Sequence, residues 1–208
     1  MSVQQLLEQA KQAEQAKQWA QAVELYSKAL QESPDNQPAK EQLGWCLSLG
    51  KEYKRAIEVF QELDKSQPQS VKWPYMIGYQ YHEQEQWREA IKWYEQSLNL
   101  NSDYIVVLYR KGYAHFKLAQ VGEALQAFER CRALWYALPE GPLKEKDKKN
   151  CAKEAYHQAE VLIENPRKVE GAFEGAIRLL GEAIQLDSQN HNAHYLLGKA
   201  FLENKQAE

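Results

Sequence analysis

Trp87, Ala90 and Tyr94 fall on one face of a helix, because spacings of three, four and seven residues lie close to one or two turns at 3.6 residues per turn. The same trio stands 34 residues earlier as Tyr53, Ala56 and Phe60, and 34 before that as Trp19, Ala22 and Tyr26. It returns once more as Val121, Ala124 and Phe128. A glycine column keeps the interval: Gly44, Gly78 and Gly112. Self-similarity at one fixed period across four columns is the signature of a stacked repeat. Each unit reads as two helices. The glycine lies in the first and the alanine in the second, both small where two helices approach closely. A larger side chain there would overpack the crossing, at a cost of about 1–3 kcal/mol. Gly50-Lys51 is read as the tight turn inside the second unit, and Pro34 and Pro68 close the first two units.

Unit boundaries fall near 3–36, 37–70, 71–104 and 105–138. Tyr136 stands where a closing proline would end the fourth unit, which predicts that its second helix runs on through Trp135 towards Pro139. A fifth unit, 139–190, is stretched: Ala124 and Ala176 are 52 residues apart, 18 more than one period. The extra residues are placed near 139–151 and 165–170. Ala152, Ala155, Tyr156, Ala159, Leu162 and Ile163 recur at helical spacing, so a first helix survives, and Phe173, Ala176, Leu180 and Ala183 rebuild the second. The charged run Lys144 to Lys149 reads as a solvated extension of that first helix. A partial sixth unit, 191–208, begins with Leu197-Gly198 and Phe201. Its apolar surface reads either as a capping helix or as the edge of a longer protein, the second being favoured.

The run Leu43-Gly44…Leu47…Tyr53…Ala56…Phe60…Pro68, followed by Ile77-Gly78…Tyr81…Trp87…Ala90…Tyr94, resembles the tetratricopeptide-repeat (TPR) family. The resemblance covers nearly the whole chain. It implies an all-α, right-handed α-solenoid of stacked antiparallel helix hairpins, with five units and a partial sixth forming a single domain. It also implies a concave face lined by the first helices, with ligand contacts at fixed positions of each unit. Carried onto this chain, those positions give Trp45, Lys72, Tyr75, Met76, Tyr79, His82, Tyr109, Arg110, Tyr113, Phe116 and Lys117. The rings in that set would lie on one continuous surface and supply rigid, amphipathic anchors for a protein or peptide partner. Arg110, with Lys72 and Lys117, suits an acidic side chain or a terminal carboxylate. The family's carboxylate clamp for chaperone tails is not expected. The five positions read Leu7, Lys11, Gln42, Lys72 and Met76 in one frame and Glu41, Trp45, Met76, Val106 and Arg110 in the next, with one match each.

Composition adds exclusions. The 208 residues are 44% apolar and 26% charged, with a net charge of −3, so no field favours nucleic acid or an anionic membrane. No stretch approaches the ~20 apolar residues of a membrane span. Cys46, Cys131 and Cys151 are widely spaced and read as reduced, buried thiols of a cytoplasmic protein. His191 and His194 lack a third ligand, His82 and His115 lack a nucleophile, and Gly171 to Gly175 lacks the residues of a phosphate loop. No cofactor, metal or catalytic residue is expected. The reading is an interaction scaffold. Two alternatives stand beside it: a regulatory or targeting module of a larger enzyme, and self-assembly through the C-terminal helix.

Overall fold

In the computed structural model, which describes residues 1–207, the chain forms two compact units that meet in sequence at Ser102 and Asp103. The first contains α1 (Val3–Gln15), α2 (Trp19–Glu32), α3 (Gln37–Leu49), α4 (Tyr53–Ser66), α5 (Lys72–Glu83) and α6 (Trp87–Leu100). The second contains α7 (Ile105–Lys117), α8 (Val121–Ala137), α9 (Pro142–Glu164), α10 (Ala172–Leu186) and α11 (His191–Ala207). Among the described residues there is no strand, and no helix is long and apolar enough to cross a membrane. In each unit the helices pack on their neighbours in sequence, which is the stacked-hairpin arrangement of a helical repeat.

Inside a hairpin the decisive contact is glycine against an aromatic ring. A Cβ added to Gly44 would lie 2.6 Å from the Phe60 ring, one on Gly78 2.7 Å from Tyr94, and one on Gly112 2.9 Å from Phe128. All three rings are fully buried, as are Ala56, Ala90 and Ala124 one turn before them. In the fifth hairpin the order is kept with milder sizes: Ala159 of the first helix and Leu180 of the second share one buried cluster.

Each of the first four hairpin turns uses one residue in the left-handed region: Lys17 (φ 57°), Lys51 (φ 63°), Glu85 (φ 57°) and Ala119 (φ 56°), again 34 apart. The following amide closes back on the carbonyl five residues earlier: Gln18 to Ala13 (2.8 Å), Glu52 to Leu47 (2.8 Å), Gln86 to Tyr81 (2.9 Å) and Gln120 to His115 (3.0 Å). These are Schellman closures, which cap the last carbonyls of the first helix. The expected Gly50-Lys51 turn is present; within it Gly50 is right-handed at φ −76° and Lys51 takes the left-handed place.

Pro34 and Pro68 sit two residues beyond the ends of α2 and α4, as a helix stop requires. α8 does run on through Trp135, to Ala137. α9 takes up the lysine-rich run as helix and reaches 23 residues, against 13 in α7. Lys144 is not solvated as expected. Its side chain is only 13% exposed, its Nζ lies 5.2 Å from the Trp135 ring centre, and it pairs with Glu140 at 2.6 Å. The connector 165–171 then carries the chain into α10. All three cysteines are free and buried. Burial pushes the Cys46 and Cys151 thiols up to about 12 and Cys131 further.

The glycine column gives a test with two signs. Gly78→Ala forces the Tyr94 ring to move and should destabilise the fold by about 1–3 kcal/mol. Gly181→Ala, in α10 with nothing within 4 Å of the new Cβ, should stabilise it by up to about 1 kcal/mol. Chemical denaturation of both variants checks this; two shifts of the same sign would refute the steric assignment.

Candidate functional site

The expected binding positions fall on the first helices of successive hairpins, and each unit carries its own set. In the first unit Trp45 is half-buried and meets Phe60 edge-on (centroids 6.4 Å, 79°). Tyr75 lies 6.4 Å from Tyr79 and 6.3 Å from Tyr94. These three expected rings therefore rest an inner edge on the hairpin core and keep an outer edge accessible. Lys72 is engaged internally: its Nζ is 2.6 Å from Glu41 Oε2 and 4.3 Å from the Trp73 ring centre. Glu41 stands 34 residues before Tyr75, as its counterpart on the preceding hairpin, so the charge at this end of the face is cancelled within the unit.

Two of the first unit's assignments change. Met76 is 1% exposed and belongs to the core, because its position on α5 points into the packing with α4 rather than outward. It has no surface to offer a ligand. His82 packs edge-on against Trp87 (5.0 Å, 85°) and near Tyr94 (6.2 Å), so its ring lies within its own hairpin.

In the second unit Tyr109, Tyr113 and Phe116 are half-buried on α7 and Lys117 is exposed. Lys117 Nζ stands 5.0 Å from the Tyr113 ring and 5.4 Å from Phe116, a cation over two aromatic faces. Sequence reasoning missed the α9 residues that complete this wall. His157 lies 4.9 Å edge-on to Tyr113 and 6.1 Å from Tyr109, and Tyr156 is 5.0 Å from His157. Glu160 binds both, accepting from Tyr156 Oη at 2.8 Å and lying 2.7 Å from His157 Nδ1. Burial pushes the Glu160 carboxyl up, but the hydrogen bonds of His157 and Tyr156 outweigh it and hold the group below its ordinary value. The signal for this trio was the helical spacing of Tyr156 and Ala159. The two insertions had removed the 34-residue ruler that would have placed it.

Tyr109 and Arg110 also wall a cavity of about 160 Å³ inside the second unit. Cys131 and Trp135 of α8 and Asn150, Cys151 and Glu154 of α9 complete it. Glu154 is 0% exposed, and neither carboxyl oxygen has a hydrogen-bond partner. Desolvation drives its pKa up to about 8; the Cys131 thiol and Arg132 pull it down, and Glu182 adds to the rise. Among the described residues no group of His, Cys, Asp or Glu is arranged to hold a metal ion.

Two tetratricopeptide-repeat sequence profiles match the chain, one over residues 13–73 and the other over 78–118 and 170–205. The chain belongs to the TPR family. The longest stretch that neither TPR profile covers, 119–169, is where α8 overruns and α9 is lengthened. No curated protein matches the chain in sequence. Among solved structures, MamA 41-end from Desulfovibrio magneticus RS-1 superposes with a TM-score of 0.71 at 17% identity, over 90% of this chain and 97% of that one. YrrB, described as a TPR protein with an unusual peptide-binding site, gives 0.64 at 19% identity, over 91% and 89%. A thermophilic TPR protein of Thermus thermophilus gives 0.62 at 15% identity, over 97% and 100%. At such identities the likeness is one of fold. TPR repeats are in general non-enzymatic protein-interaction modules, and this chain has their architecture.

Glu154 makes stability depend on pH in a specific direction. Its folded-state pKa lies above the unfolded value, so the native state holds the extra proton between about 4.5 and 8. Its contribution to stability is therefore greatest below that window and falls as pH rises through it. Glu154→Gln should remove a loss on the order of 4 kcal/mol between pH 4.5 and 8. Urea denaturation at pH 5, 6.5 and 8 checks this. An unchanged pH slope in the variant would contradict the buried, protonated carboxyl.

Proposed function

We propose that this protein is a non-catalytic interaction scaffold that takes segments of partner proteins on the first-helix faces of its hairpins. The observation that carries the reading is the row of half-buried rings at those positions: Trp45, Tyr75 and Tyr79 in one unit, Tyr109, Tyr113 and Phe116 in the other. Rings whose inner edges are locked by packing lose little further freedom when a ligand covers their outer edges, so contact area translates efficiently into affinity. Lys72 and Glu41 already neutralise each other and Lys117 lies over rings, so apolar and aromatic side chains of the partner dominate recognition. YrrB, a TPR protein with a peptide-binding site, lends the reading support by analogy only.

Affinity capture from a native lysate, wild type against Tyr79→Ala/Tyr113→Ala, tests it. A partner should be retained by the wild type and bound at least ~10-fold more weakly by the variant. Circular dichroism must show that the variant's helicity is intact. Equal retention by both would move binding off these faces.

A second reading, self-association, is favoured by α11. Tyr195 is 77% exposed, Leu202 65% and Phe201 49%, while Ala193 and Ala200 on the opposite face are buried in the unit's core. Gly198, in the register of Gly44 and Gly78, has nothing within 4 Å of an added Cβ, so the seat that elsewhere receives a ring is open. On this reading the occupant is α11 of a second copy. Light scattering should then give a concentration-dependent dimer mass that Phe201→Glu returns to monomer; a strictly monomeric wild type at high concentration would eliminate it.

A further inference from the structure

The cavity of the second unit is lined by two side chains whose whole polar group is buried without a hydrogen-bond partner among the described residues. One is the Glu154 carboxyl; the other is the Trp135 indole Nε1–H. Their neighbours are committed elsewhere. The Cys131 thiol donates to the Ile105 carbonyl at 3.5 Å. Arg132 donates to Gln158 Oε1 at 3.2 Å and stands 3.6 Å from Glu182. Lys144 pairs with Glu140 at 2.6 Å. A well-packed interior leaves few such groups unsatisfied, because each costs the full desolvation of a donor or acceptor. Two of them around one cavity of about 160 Å³ point to a ligand that supplies what both lack. The walls run from exposed Asn150 and half-buried Val106 down to fully buried Glu154, so the cavity opens at its Asn150 and Val106 side.

We propose that this cavity is a side-chain pocket for a primary carboxamide, the Asn or Gln side chain of a bound protein segment. The amide carbonyl accepts from Trp135 Nε1–H, and the amide NH2 donates to the Glu154 carboxyl. A carboxylic acid held protonated at neutral pH, as burial holds Glu154, adds its own O–H to the amide carbonyl. The acid and the amide then meet in a two-bond, head-to-head pair. An ammonium ligand would leave the indole donor unanswered, since it too only donates. A carboxylate only accepts, so it would leave the carbonyl oxygen of the Glu154 acid without a donor. The Tyr109 and Trp135 rings fit the short apolar stem. The volume is about that of a dry cavity which holds benzene, enough for a Gln side chain.

This pocket rests on the reading of the chain as a partner-binding scaffold, and it names one side-chain type that such a partner carries. Tyr109 and Arg110, two of the positions expected at the binding face, are among its walls.

Propanamide, the Gln side chain cut at Cβ, is the probe, titrated into the full chain and followed by two-dimensional amide NMR. Saturable shifts of the Asn150 and Cys151 amides and of the Trp135 indole signal are expected, with a Kd in the ~1–100 mM range of a five-heavy-atom ligand. Propylammonium and propanoate should bind at least ~10-fold more weakly. Glu154→Leu and Trp135→Phe should each weaken propanamide about 10-fold or more; the second keeps an aromatic ring in place, so it reads the hydrogen bond should the first variant fold poorly. Lys28→Ala, on the exposed face of α2 in the other unit, should bind the probe as the wild type does. Absence of saturable shifts, tighter binding of propylammonium or propanoate, or full retention in Trp135→Phe would overturn the proposal. Because no partner is needed, its failure is separate from that of the capture experiment. Propanamide bound by a chain that captures no protein would leave the pocket standing and sink the scaffold reading.

Discussion

The architecture depends on one contact repeated along the chain: a glycine on the first helix of a hairpin closed by the ring of an aromatic residue on the second. With the ring within 3 Å of where a Cβ would be, the two helices are held closer than side chains on both would permit. The alanine one turn before the ring keeps the rest of the crossing close. That approach fixes the first helix's rotation, and the rotation decides which residues face the core and which face outward. Tyr75, Tyr79, Tyr109 and Tyr113 owe their half-exposed rings to it, and Met76 owes its burial to it.

This contact was legible before any coordinates because steric exclusion leaves a compositional trace. Gly44, Gly78 and Gly112 stand out in a helical pattern that would otherwise avoid glycine. The turns were less legible for the opposite reason. Lys17, Lys51, Glu85 and Ala119 hold a left-handed conformation with side chains that carry no label for it, and the nearby Gly50 drew attention to itself while lying right-handed. Their geometry is imposed by the closure of the helix end and by the packing on both sides. Propensity has little say there.

The candidate site was legible in part. Trp45, Tyr75, Tyr79, Tyr109, Tyr113 and Phe116 were found because the period carried their positions forward. His157, Glu160 and Glu154 were not, because α9 lies beyond an insertion that breaks the count. Nor does sequence announce that a carboxyl such as Glu154 is buried: its helix is rich in charged residues, and only the packing of α7 and α8 against it tells Glu154 from its solvated neighbours.

The buried cysteines have a practical consequence. Cys46 lies in α3, Cys131 in α8 and Cys151 in α9, each buried with its thiolate suppressed. Cys46 reacts with an alkylating reagent only when the helices around it separate, whereas Cys131 and Cys151 also face the cavity and meet a reagent small enough to enter it. The protein thus carries one native clock for helix opening and two native reporters of access to the cavity. Their relative labelling rates separate the two kinds of motion without a single engineered residue.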